Sequence, residues 1–239
     1  MQSQESKRIF TEEFRPQHHF TPAAHWINDP NGLLFYKGKY HLFYQHNPSG
    51  ILWGNMSWGH SVSSDLQRWE HLPVAIECTE TTGIFSGSAV VDFNNTSGFG
   101  SLDNPPLIAI YTVHQNDGSN QSQHIAYSLD EGLTWVKYAD NPVLDLGMKD
   151  FRDPKVTWQE TTQSWLMTVA KPQEFKIAFF TSKDLINWSH LSDFGPLGAT
   201  GGIWECPDLF PLQTEDGSTK WALIVSLNPG GIAGGSGTQ

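Results

Sequence analysis

The chain has 239 residues, a net charge of -11, ten tryptophans and fourteen phenylalanines, and only 16% charged residues. An acidic surface repels phosphate backbones and anionic lipid, which argues against nucleic acid or a membrane as partner and favours a neutral ligand. No apolar run reaches spanning length, and Cys78 and Cys206 form neither a metal spacing nor a disulfide framework, so a soluble chain with a substantial core and no metal or organic cofactor is expected.

In chain order, the first twenty residues, MQSQESKRIFTEEFRPQHHF, lack the apolar core of a signal peptide, and His18-His19 reads as an exposed terminal pair. NDPNGLLFY from Asn28 follows, with the apolar runs Leu33–Tyr36 and Tyr40–Tyr44 flanking a Lys-Gly-Lys turn; this predicts a hairpin with a buried first strand. Turn chemistry alone would explain an Asp held between Asn and Pro. Next come the strand-like SWGHSVS and the segment SSDLQRWEHL from Ser63. FSGSAVVDF opens at Phe85, and QHIAYS leads into YSLDEGLTWVKY from Tyr127. RDPKVTW opens at Arg152, KIAFFTS leads into TSKDLINWSHL from Thr181, and ECPDLFPL opens at Glu205.

These elements repeat. In three of them Ser precedes Asp, and a Trp follows four or five residues later (Trp69, Trp135, Trp188). The Ser and Asp suit a tight hairpin turn held by side-chain to backbone bonds, and the recurring Trp suits a scaffold anchor. The four special openings lie 57, 67 and 53 residues apart. Each unit thus offers four short strands, the signature of a β-propeller blade, in which the first strand lines the central axis. Asp29, Asp153 and Glu205 fall at equivalent places, each beside or near a Pro, and would meet at one end of the channel.

WINDPNG, FSGS, FRDPKV and WECPDLF, in this order and spacing, resemble glycoside hydrolase family 32, the invertases, inulinases and levanases acting on β-fructofuranosides. The similarity runs from about Phe20 to the end, and SLNPGGIAGGSGTQ looks like the family's continuation of the fourth blade. The resemblance implies an all-β fold, a five-bladed propeller followed by a β-sandwich. Three blades and about half of the fourth are expected within residues 1–239, as part of a catalytic propeller, with the remaining blades and the sandwich outside this chain and a second chain as one way to supply them.

The resemblance further implies a retaining glycosidase. Asp29 would be the nucleophile, Glu205 the proton donor and then base, and Asp153 the stabiliser gripping fructose hydroxyls. A neighbouring carboxylate and a wall of Trp204 and Phe210 would hold Glu205 protonated, and Arg152 would touch the sugar or simply pair with Asp153. Asn28 and Gln45 resemble the family's hydroxyl-binding amides. Trp53 resembles its aromatic wall, and Phe85 and Ser86 the contribution of the second blade. The implied partner is a small carbohydrate or fructan. A fructosyltransferase uses the same three acids, and an inactive carbohydrate-binding fragment is the reading from a different class. Secretion is favoured by the family.

Overall fold

The computed structural model describes residues 10, 12–16, 19–230 and 237–238. The first nine residues, read for a leader, His18, and residues 231–236 of the proposed fourth-blade continuation lie outside the described residues.

The chain folds into four antiparallel sheets in propeller arrangement, with a single 3-10 turn at Pro172–Glu174 as the only helical element among the described residues. The first sheet is β1 (Trp26–Tyr36), β2 (Lys39–Asn47), β3 (Ser57–Ser63) and β4 (Glu70–Ile76) in that order. The second is β5 (Thr82–Val91), β6 (Leu107–Gln115), β7 (Gln121–Ser128) and β8 (Val136–Lys137), with β9 (Leu144–Met148) also paired to β7. The third is β10 (Arg152–Gln159), β11 (Ser164–Lys171), β12 (Lys176–Ser182) and β13 (Trp188–Phe194). The fourth holds β14 (Ile203–Gln213), β15 (Thr219–Asn228) and β16 (Gly237–Thr238), one strand more than the half-blade expected.

The core sits between successive sheets. Phe43 and Trp58 of the first sheet pack on Ile84, Ala109 and Tyr111 of the second. Ile108, Ile110 and Ile125 pack on Val156, Met167 and Phe180 of the third. Ala170 and Ile177 then pack on Trp204, Val225 and Leu227 of the fourth. This layering brings the first strands together in chain order, β1 against β5, β5 against β10, and β10 against β14.

The repeated turns have the chemistry read from the sequence. Ser63 Oγ accepts the backbone N–H groups of Asp65 and Leu66, and Asp65 Oδ1 accepts those of Gln67 and Arg68. Ser182 and Asp184 do the same for Asp184, Leu185, Ile186 and Asn187. Ser128 accepts from Asp130 and Gly132, and Asp130 from Thr134. Trp135 and Trp188 each donate their indole N–H to the carbonyl three residues back, closing the turn.

One alternative falls and one local expectation changes. The Asn-Asp-Pro-Asn segment is no turn between strands, because β1 runs through it from Trp26 to Tyr36. Nor is β1 buried along its length: Leu33 and Phe35 are 65% and 56% exposed, and only one face of the strand is covered. The β1–β2 turn is the two-residue Lys37-Gly38, both at positive φ (46° and 81°), the geometry that matches the twist of the flanking strands.

Candidate active site

The first strand of every sheet breaks register at the same place. The shifts fall between Ile27 and Pro30, Ile84 and Gly87, Arg152 and Lys155, and Glu205 and Asp208. Three of these intervals hold or end on a proline, which cannot donate to the ladder and favours such interruptions. A bulge turns the affected side chains away from the regular alternation. Asp29, Ser86, Asp153 and Cys206 sit inside the four bulges, and Glu205 borders the last. Asp153 (φ 65°) and Cys206 (φ 49°) adopt left-handed backbone, a strained conformation for residues of this kind that persists only where surroundings enforce it. In the second sheet Gly87 is required: a Cβ there would lie 2.1 Å from the Ile110 carbonyl oxygen.

The bulges open on one cavity of about 700 Å³, lined by nine of the residues singled out in the sequence: Asn28, Asp29, Gln45, Trp53, Phe85, Ser86, Arg152, Asp153 and Glu205. Asp29 is held from two sides. Ser86 Oγ donates to its Oδ2 (2.6 Å), and Asn28 Nδ2 donates to its Oδ1 (3.2 Å), while Asn28 Oδ1 accepts the indole N–H of Trp26. Arg152 forks onto Glu205 Oε1 through Nε (3.2 Å) and Nη2 (2.8 Å), and its Nη1 reaches Asp150 Oδ1 (2.9 Å). Asp153 Oδ2 accepts the backbone N–H of Cys206 (2.9 Å), which ties the third sheet to the fourth.

Asp153 is buried, and burial pushes its carboxyl up to about 6 against the opposing pull of Arg152 and the Cys206 N–H. The thiol of Cys206 points at Asp153 Oδ2 (3.6 Å) and Asp29 Oδ2 (3.8 Å). Loss of hydration around the sulfur, then the neighbouring charges of Asp153, Asp29 and Glu205, push this thiol above its usual range, so it stays protonated and donates toward the carboxylates.

The aromatic residues divide. Trp53 is 58% exposed at the rim, and its ring meets Phe85 edge-on at 6.0 Å, so it is no core residue. Phe85 stacks on His114 at 4.5 Å. Gln45 lines the cavity but spends its amide N–H on the Ile84 carbonyl, which pins the opening of β5.

Two expectations about the acids are corrected. Trp204 makes no wall for Glu205. Successive strand residues face opposite ways, so Trp204 is fully buried between the third and fourth sheets, its indole N–H donating to Ala199 O, and neither it nor Phe210 lines the cavity. Nor does Arg152 spend itself on Asp153; its ion pairs are to Asp150 and Glu205. The sequence reading also missed His114, Gln121, Asp150 and Cys206, which line the same cavity. Cys206 stands inside the ECPD motif, and the other three carry no motif.

Comparison with known proteins agrees with this fold. Residues 19–239 match the profile of the Glycosyl hydrolases family 32 N-terminal domain. The levanase of Bacillus subtilis (strain 168) is 53% identical over 234 residues, covering 96% of this chain and 34% of that protein. The extracellular exo-inulinase of Aspergillus awamori is 47% identical over 261 residues, covering 96% of this chain and 48% of that protein. The solved fructofuranosidase of Schwanniomyces occidentalis, complexed with fructose, superposes with a TM-score of 0.89 at 45% identity, covering 94% of this chain and 45% of that one. The chain therefore spans half or less of the length of these relatives.

Proposed function

Because the chain belongs to glycosyl hydrolases family 32, we propose that the protein is a retaining β-fructosidase, releasing fructose from sucrose, inulin or levan, and that this chain is part of its catalytic propeller. One observation above all supports the reading: three acids from the first strands of three sheets border one cavity, with Ser86, Arg152 and Cys206 bonded to them.

A glycosidic bond needs a proton on the leaving oxygen and stabilisation of positive charge at the sugar carbon, and two carboxyl groups in different protonation states supply both. In the proposed cycle Asp29 attacks C2 of the fructosyl unit while Glu205 gives its proton to the departing oxygen. Glu205 then takes a proton from water, the hydroxide equivalent attacks C2, and Asp29 leaves as the carboxylate. Ser86 and Asn28 set the direction of Asp29 before the substrate arrives, which is where preorganisation lowers a barrier. Arg152 occupies Oε1 of Glu205, which assigns the travelling proton to Oε2. Asp153 would accept the ring hydroxyls and tighten as the ring flattens toward an oxocarbenium ion. Trp53, exposed at the rim, offers an aromatic face to a sugar. The names of the levanase and exo-inulinase relatives support a fructan or small fructoside as substrate, and the extracellular exo-inulinase supports secretion.

Two displacements at one carbon restore its configuration. NMR of the first-formed fructose, recorded before mutarotation, is expected to show the β anomer. The α anomer as first product would mean inversion and a different role for Asp29.

A further inference from the structure

We propose that Thr112, Gln121 and Gln123 form a polar clamp from the second sheet that fixes residues 151–153, making them positioning residues for Arg152 and Asp153. The kinetic part of this proposal rests on the fructosidase reading; the structural part does not.

The clamp is built on one face of β6 and β7, where Thr112 lies opposite Gln123 and His114 opposite Gln121. Thr112 and Gln123 are fully buried and Gln121 is 3% exposed, so each of their polar atoms must find a partner inside the protein. The partners converge on three consecutive residues. Gln121 Oε1 accepts the Phe151 N–H (2.9 Å), and Gln123 Nε2 donates to the Phe151 carbonyl (2.7 Å). Thr112 Oγ1 accepts the Asp153 N–H (3.1 Å) while donating to Gln123 Oε1 (2.7 Å). Gln121 Oε1 also accepts Arg152 Nη1 (3.2 Å), and Gln121 Nε2 meets His114 Nδ1 (3.3 Å).

Ordinary strand pairing does not supply these bonds. The β10–β11 register passes from Arg152 directly to Lys155, leaving Asp153 in the bulge. A buried backbone N–H without a partner is costly, and Asp153 also carries the strain of φ 65°. The Thr112 hydroxyl relieves the first cost and thereby holds the second conformation in place. Gln121 acts on the adjacent charge: the oxygen that seats the Phe151 amide also seats the guanidinium that forks onto Glu205. If these groups were merely glue between sheets, their bonds would spread along β10. All of those that cross to the third sheet end on residues 151, 152 or 153.

The test compares Thr112→Val, which keeps the side-chain shape and loses the hydroxyl, with Thr112→Ser, which keeps the hydroxyl. Amide exchange at Asp153 is expected to be about tenfold or more faster in the Val variant than in the Ser variant, a local opening that leaves amides far from residues 151–153 at parental rates. In the intact protein, kcat on sucrose is expected to fall about tenfold in the Val variant with KM within about twofold, and to return in the Ser variant. Should the Val variant fail to fold, Gln121→Met asks the same question of the Phe151 amide, whose exchange is expected to rise about tenfold. Equal Asp153 exchange in the Val and Ser variants, equal kcat losses in both, or an unchanged Phe151 amide in Gln121→Met would overturn the clamp. A parent protein with no action on fructosides would sink the fructosidase reading, and the exchange comparison would still decide the clamp.

Discussion

Replacing Asp29 or Glu205 by Ala is expected to lower kcat on sucrose or inulin by about three orders of magnitude or more, because the proposed cycle gives bond making to the first and proton transfer to the second. The fold is expected to survive both changes. Asp29 is only half-buried in a bulge, and its loss leaves Ser86 and Asn28 beside an open cavity that water can fill. Truncating Glu205 does not strand Arg152, which keeps its ion pair with Asp150 and its bond to Gln121. Thermal midpoints within a few degrees of the parent, alongside the kinetic loss, are the expected combination. Turnover within about tenfold of the parent for either variant would reject the role assigned to that residue.

Asp153→Asn is expected to make the protein more stable at neutral pH while removing most activity. The sign follows from the raised carboxyl. An unfolded Asp titrates near 3.9, whereas burial holds Asp153 at about 6 in the fold. Its contribution to stability is therefore fully present below about pH 4 and is lost as pH rises through about 6, because the native state must then carry a buried charge. That difference between the folded and unfolded carboxyl is worth about 3 kcal/mol at most, so a gain of about 1–3 kcal/mol is expected for the neutral amide above pH 6. Asn can still accept the Cys206 N–H through its own side-chain oxygen, so the tie to the fourth sheet is kept. Urea unfolding of parent and variant at pH 4 and pH 7 reads this directly. The midpoints should nearly coincide at pH 4 and separate at pH 7 in favour of the variant. A variant less stable at pH 7, or an offset that does not change with pH, would show that Asp153 is held charged without cost. Stability surrendered at a reacting centre is the usual trade against activity.

The same strain explains which parts of the site were readable in the sequence. An acid beside or near a proline, three times over at blade spacing, was legible as a repeated strand opening; the bulge that proline favours there was seen only in the register of the strands. The Ser-Asp turns were readable for a similar reason, since short side chains bond only to backbone a few residues away. Thr112, Gln121 and Gln123 were not, because they sit in a regular strand alternation and gain their meaning from residues 28 to 41 positions away in the chain. Trp204 misleads for the opposite reason. It follows Gly202-Ile203 directly before Glu205, but its side chain lies on the other side of the strand, because a strand turns neighbouring side chains to opposite faces. Leu33 and Phe35 defeat the buried reading of β1 because they lie two apart and therefore share one exposed face.

The proposed cycle requires a covalent bond between Asp29 and the sugar, and that bond can be caught. A fructosyl fluoride, whose leaving group departs without a proton, can load the Glu205→Gln variant, which lacks the base needed for rapid release. Mass spectrometry of rapidly quenched protein, followed by peptide mapping, is expected to find one fructosyl unit on the peptide containing Asp29. Fluoride release with no adduct on that peptide, or an adduct on Asp153 or any other residue, would rule out Asp29 as the nucleophile.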